Sequence, residues 1–324
     1  MRIILSKKTD PYQNLATEEY LLKNFTEDIF FLYINHKSII VGKHQNALSE
    51  INYKFVSENE IPVVRRLSGG GTVFHDPGNI NFCFITSGAK GELVNFKKYT
   101  TPIVEFLKSI NINAHFGGRN DILIEGCKIS GNASHVFKSR VMHHGTLLFN
   151  SQLGSLTQSL KNDPMKFKDR SVKSVRSKVT NIHDHLKQDK EVDTFVEELS
   201  EYIITNYNCD KYELNKDDYT TIDKLVETKF RTWEWNFGYS PKYELKKRIK
   251  SISGKRYEVI LNVNKGNILE ARLKSNANNK DKILELETAL KESLHQMDSI
   301  KEKTFTVFSS WDELKQEELI DALF

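Results

Sequence analysis

Residues 64–79 read Val64-Arg65-Arg66-Leu67-Ser68-Gly69-Gly70-Gly71-Thr72-Val73-Phe74-His75-Asp76-Pro77-Gly78-Asn79: three glycines preceded by two arginines and followed by a strand pattern. Without Cβ atoms, Gly69, Gly70 and Gly71 let backbone N–H groups approach an anion closely. Arg65 and Arg66 can add charge-assisted donors. A small carboxylate or phosphate suits such a loop, and a flexible hairpin tip is the reading without a ligand. A Walker-type loop would lead through Gly-Lys-Ser/Thr into a helix. Here Thr72-Val73-Phe74 is β-branched and aromatic, and Asp76-Pro77-Gly78-Asn79 signals a turn, so that type is excluded.

A chain of 324 residues can bury a sizeable core and allows one large domain with a smaller companion. Its 47 basic and 43 acidic side chains leave a formal charge of +4, too small and dispersed for a nucleic-acid binder, though it could help an acidic protein dock. Cys83, Cys127 and Cys209 form no CxxC pair, so neither a disulfide framework nor a zinc site is expected. The apolar run Ile3–Leu5 is far too short for a membrane span, and a reducing, cytoplasmic setting is expected, with organellar residence open.

Asp10-Pro11 predicts a capped helix over about 11–25, with Leu15, Leu21, Leu22 and Phe25 as its apolar face. Strands are predicted over 29–42 (two, joined by a polar turn), 62–66, 72–75 and 79–86. In the last, Ile80, Phe82 and Phe84 alternate with Asn81 and Cys83 as in a half-buried strand. A helix is expected over 99–110. Residues 121–130 predict a hairpin turning at Glu125-Gly126, with Leu123 facing Lys128 and Asp121 facing Ser130. Lys128 and Asp121 then share a polar face, as a candidate site or as a surface ion pair. His143 and His144, adjacent on a strand over 142–149, point to opposite faces and cannot chelate one metal together. Residues 169–181 read as a mobile basic loop, and a domain boundary is expected near 239–250. Beyond it come strands at 256–263 and 267–273 and helices at 282–297 and 311–323.

The ordered segments Asp10–Glu19, Gly42–Asn46, Arg65–Asp76, Gly118–Asp121, Lys128–Ala133, His143–Leu148, Ser174–Asn181 and Trp233–Gly238 resemble the lipoate-protein ligase A family over most of the chain. The resemblance implies an α+β chain: a biotin/lipoate ligase catalytic fold of mixed sheets flanked by helices over 1–245, and a small α+β accessory domain over 246–324. It also implies a monomeric enzyme that makes lipoyl-AMP from lipoate, ATP and Mg2+. The lipoyl group then passes to lysines of lipoyl domains, those of 2-oxoacid dehydrogenase acyltransferase subunits and the glycine cleavage H protein.

By this resemblance, Arg66, Gly71, Thr72, Val73, Phe74 and Lys128 bind the adenylate, and the loop Ser174, Val175, Arg176, Ser177, Lys178 closes over AMP. Arg66, Ser68, Gly69, Gly70, Gly71, Lys128, His144 and Gly145 take the lipoate. Lys128 is the central cation between carboxylate and α-phosphate, and Asp121 either orients it or helps hold magnesium. Two positions depart from the family pattern: Ala271-Arg-Leu-Lys-Ser-Asn-Ala replaces a frequent Gly-Asp-Phe element, and Ser171 a frequent glycine. The alternatives weighed are a lipoyltransferase using preformed lipoyl-AMP, an octanoyltransferase, a biotin ligase and a non-enzymatic lipoate-binding protein. No cysteine stands beside a base in a recognisable motif, which argues against a thioester route.

Overall fold

The computed structural model describes residues 1–88, 94–118, 120–160, 167–175, 177–276 and 279–324. Two compact units are present: one of residues 1–43, 62–156 and 174–232, the other of 44–61, 157–173 and 233–324.

The first unit is built on an eight-stranded mixed sheet. Its strands lie in the order Asp210–Lys211, Arg2–Leu5, Ile29–Ile34, Asn79–Ser87, Arg140–Leu148, Cys127–Phe137, Asp121–Ile124, Ala114–Gly117. The first two pairings are parallel and the rest antiparallel. A separate three-stranded sheet pairs Ser38–Val41 with Val63–Arg65 and with Val73–His75, the two strands that flank the glycine loop. The apolar core includes Phe30, Phe82, Phe84, Ile103, Phe106 and Phe195, with the helix Phe96–Ser109 supplying Tyr99, Ile103, Phe106 and Leu107. Each such side chain contributes roughly 1.5–3 kcal/mol on burial.

The helix Pro11–Asn24 starts as expected, with the Asp10 carboxylate accepting from the N–H groups of Tyr12 and Gln13. Its buried surface is wider than the apolar stripe and includes Asn14, Glu18 and Glu19. The strand Asn79–Ser87 is likewise buried on both faces, not half-buried. It lies mid-sheet, and its second face, carrying Asn81 and Cys83, meets polar groups of the site. The hairpin turns at Glu125-Gly126 and sets Leu123 opposite Lys128. A register shift at Ile122/Leu123 then puts Asp121 opposite Gly131, not Ser130. An inserted residue of this kind is a β-bulge, which sequence alternation does not reveal.

In the second unit, Phe167–Asp169, Tyr243–Lys250, Arg256–Asn264 and Asn267–Ser275 form an antiparallel sheet in that order. Three helices pack on one face through Leu286, Leu290, Ile300, Leu319 and Leu323. Residues 243–250, read from the sequence as part of a boundary, are thus a sheet strand. The single helix expected over 282–297 is two helices, Lys280–Leu290 and Met297–Phe308. Between them the backbone leaves the helix to bond the sheet, Glu292 N–H donating to Ile268 and Ile268 N–H to Ser293. The helix expected over 311–323 begins at Gln316. Trp233 stacks on Phe237, with ring centroids 6.2 Å apart.

Candidate active site

Cross-strand partners in an antiparallel sheet share a face, so Cys83 and His144 stand together, as do Tyr33 and Asn81. Next door, His143 turns into the core and stacks on Tyr99 at 4.1 Å between ring centroids. The two histidines therefore divide as strand alternation requires. Glu18, 1% exposed, projects from the Pro11–Asn24 helix onto the His144 face.

A chain of hydrogen bonds results. Arg66 Nε–H donates to Ser68 Oγ at 3.0 Å, and Ser68 lies 2.6 Å from His144 Nε2. Ser68 Oγ accepts from Arg66 and has a second lone pair and a hydrogen to spare, so the imidazole tautomer sets which way the Ser68–His144 bond runs. His144 Nδ1 lies 2.9 Å from Glu18, which also accepts from the Tyr33 hydroxyl at 3.0 Å. Burial, then the Glu18 charge, pushes the Tyr33 phenol and the Cys83 thiol well above their usual ranges. The fold thus sets Cys83 beside a carboxylate, which the sequence did not show, yet keeps it a thiol and a poor nucleophile.

The arginines before the glycines serve different ends. Arg65, 0% exposed, donates to the carbonyls of Gly42 and Lys43, so it is not a donor held out to an anion. Its role is in the scaffold. Arg66 reaches under the loop, donating through Nη2 to Gly69 O at 2.8 Å and Gly71 O at 2.7 Å. Burial lowers its pKa to about 10, against the opposing charge of Glu18. Gly70 is needed for its backbone, at φ +93°, and Gly145 for space, since a Cβ there would lie 2.1 Å from Asn132 Oδ1.

Lys128 Nζ and Asp121 Oδ1 form an ion pair at 2.9 Å, each side chain 27% exposed. The backbone of Lys128 is bracketed by the downstream segment: its N–H donates to Lys178 O at 2.8 Å and its carbonyl accepts from Thr180 N–H at 3.2 Å. Ser174 Oγ accepts from Thr72 N–H at 2.9 Å. Residues 174–180, read as a mobile loop, are therefore tied at one end to the glycine loop and at the other to the Lys128 strand. Val175, Ser177 and Lys178 remain exposed, and Val73 and Phe74 sit in the strand after the glycines. Arg119 and Arg176 lie outside the described residues. Ser171 makes two bonds to Asp169, from its N–H at 2.9 Å and its hydroxyl at 2.7 Å.

Glu18, Tyr33 and His75 are additions to the sequence reading. Asn14 Nδ2 donates to Asn35 Oδ1 at 2.8 Å, and Asn35 Nδ2 then donates to His75 Nδ1 at 3.0 Å. The ring proton must sit on Nε2, a buried atom without a partner among the described residues. Burial, with Arg66 and His144 nearby, lowers the His75 pKa to about 3. The visible signal was the His75-Asp76 pair closing the glycine motif. Glu18 could be seen only as part of a motif, because a glutamate on a helix is by default solvated.

Residues 10–204 match the lipoyl protein ligase A/B catalytic domain. Lipoate–protein ligase 1 of Staphylococcus aureus is 40% identical over 316 residues, 96% of each chain. The lipoate-protein ligase LplJ of Bacillus subtilis is 40% identical over 274 residues, 82% of this chain and 81% of its own. Among solved structures, P. falciparum LipL1 in complex with lipoate superposes with a TM-score of 0.64 at 25% identity, over 99% of this chain and 97% of that one. With the domain model and full-length kinship in agreement, the chain belongs to the lipoate-protein ligase family.

Proposed function

We propose that this chain is an ATP-dependent lipoate-protein ligase, which adenylates lipoate and transfers the lipoyl group to a lysine of an acceptor lipoyl domain. Its 40% identity to a protein named for that reaction, along 96% of both chains, carries the reading most directly. The acceptors we expect are the acyltransferase subunits of 2-oxoacid dehydrogenases and the glycine cleavage H protein. We expect a monomer working in the cytoplasm. No helix among the described residues is long and apolar enough to cross a membrane.

A carboxylate is a poor acyl donor, because an oxide would have to leave; its mixed anhydride with AMP releases AMP instead. Forming the anhydride brings a carboxylate against a polyphosphate, and fixed positive charge must offset that repulsion. Lys128 is the cation assigned to this task, bridging the carboxylate and the α-phosphate, with Asp121 fixing the ammonium by their 2.9 Å pair. Magnesium held mainly through substrate phosphates requires one or two protein carboxylates, and the partly exposed Asp121 fits that need. Such an ion would neutralise phosphate charge.

Arg66 shapes the glycine loop, whose Gly71–Phe74 stretch takes the adenylate. Ser68, Gly69, Gly70, His144 and Gly145 line the acyl group. The segment 174–178 covers AMP and excludes water from a hydrolysable anhydride. The decisive experiment is a mass measurement on a recombinant lipoyl domain incubated with the chain, lipoate and Mg-ATP. One lipoyl adduct on a lysine is expected, with pyrophosphate released. Modification from synthetic lipoyl-AMP alone, without pyrophosphate or lipoyl-AMP from lipoate and ATP, would replace this reading with a transferase.

A further inference from the structure

Charge is segregated in the second unit. Between Lys246 and Lys274 the sequence carries nine basic side chains against two acidic ones, Glu258 and Glu270. Strand alternation turns Tyr257, Val259 and Leu261 to the helices and leaves Lys246, Arg248 and Lys250 exposed on the other face, with Arg256, Arg272 and Lys274 exposed beside them.

The upper end of this face is a cleft of about 630 Å³ whose lining includes Arg248, Lys250, Arg256, Lys274 and Glu258. Glu258 lies opposite Lys274 in the register, but its carboxylate pairs with Lys246 at 3.2 Å and Arg248 at 3.4 Å. Lys250, Arg256 and Lys274 are left without an ion-pair partner among the described residues. Moreover, Lys250 and Arg256 are direct cross-strand partners, an arrangement in which like charges destabilise a sheet. An anionic partner would remove that penalty.

The surroundings favour protein over nucleic acid. Ile252, in the hairpin turn between the two strands, is 80% exposed, whereas the rings of Tyr243 and Tyr257 are buried and offer bases no stacking platform. Resting on the acyl-transfer reading above, we infer that the exposed sheet face around Lys250, Arg256 and Lys274 docks an acidic surface of the acceptor domain. The contact serves transfer and not adenylation.

The test compares Lys250→Glu/Arg256→Glu/Lys274→Glu with Lys280→Glu/Lys291→Glu/Lys303→Glu, an equal charge change on exposed positions of the helical part. Affinity for an apo lipoyl domain is read by fluorescence anisotropy, alongside KM for that domain and the rate of pyrophosphate release. The sheet-face variant should bind the acceptor about tenfold or more weakly, with a flatter salt dependence and unchanged pyrophosphate release, while the helical variant behaves as the original chain. Equal affinities in both variants, or pyrophosphate release falling as far as transfer, overturn the proposal. Acceptor binding unaffected by either variant, with a short RNA displaced only from the sheet-face sites, would assign the cleft to nucleic acid instead. If the unaltered chain forms no lipoyl-AMP, the ligase reading fails, and the binding measurement still judges the cleft.

Discussion

The Lys128 ammonium lies 2.9 Å from the Asp121 carboxylate across a bulged hairpin, one residue out of the register that regular pairing gives. Both side chains are partly exposed, so the pair adds at most about 1 kcal/mol to stability. Lys128→Ala should therefore leave thermal unfolding nearly unchanged while removing roughly 2–4 kcal/mol of transition-state stabilisation from adenylation. Pyrophosphate release measures this; a folded variant with near-normal release rules Lys128 out as the central cation. Lys128→Arg should restore little, since a planar guanidinium replaces a compact ammonium.

Asp121→Asn separates orientation from magnesium binding. If the carboxylate chiefly fixes Lys128, adenylation should slow at saturating magnesium with little change in the concentration needed for half-maximal rate. The direct pair to Lys128 favours that result. A large rise in the magnesium requirement, reversed at high concentration, would assign Asp121 to the ion. A titration of initial rate against magnesium decides.

The main elements and the Lys128–Asp121 encounter were legible because capping, alternation and turn signals are local. Asp10 at the helix start and Glu125-Gly126 at the hairpin each act within a few residues. What escaped was decided by distant chain. Glu18 meets His144 126 positions away, and Ser174 meets Thr72 102 positions away. The bulge in the 121–130 hairpin and the break at 291–296 likewise depend on backbone partners that no local pattern names.

Burial of His75 makes stability depend on pH in a definite direction. Its pKa falls from an ordinary 6.5 to about 3 in the folded chain, so the unfolded state binds the proton first. This contribution is complete above pH about 6.5 and is lost as pH falls toward about 3, at roughly 1.4 kcal/mol per pH unit between. His75→Gln should flatten the slope of urea-unfolding free energy from pH 6.5 to 5. In the original chain, nitrogen NMR should find the ring proton on Nε2; a proton on Nδ1 would contradict the Asn14–Asn35 relay.

Selectivity should favour a medium-chain acid ending in a dithiolane, with octanoate accepted less well and biotin refused. A ureido ring needs dedicated partners. The polar atoms around His144 are more numerous than an apolar tunnel would have, but Ser68, His144, Glu18 and Tyr33 already satisfy one another. Competition among the three acids in an acceptor-modification assay tests this, and equal use of biotin defeats it. Glu18→Ala should weaken the fold as well, leaving buried Tyr33 and His144 donors unpaired at a cost of about 1–3 kcal/mol each.

Ser174→Ala removes the hydroxyl that accepts from Thr72 N–H at 2.9 Å, while the hold of Lys178 and Thr180 on the Lys128 backbone is untouched. The segment should then open at one end only. Hydrogen exchange at the Thr72 amide should quicken, because the bond to Ser174 Oγ, worth about 1 kcal/mol net, holds that N–H. If the segment keeps water from the anhydride, the variant should still release pyrophosphate but lose more lipoyl-AMP to hydrolysis. The readout is free AMP formed per lipoyl-AMP retained in the absence of acceptor. A ratio equal to that of the original chain, with faster Thr72 exchange, would show that this tether orders the loop without shielding the intermediate.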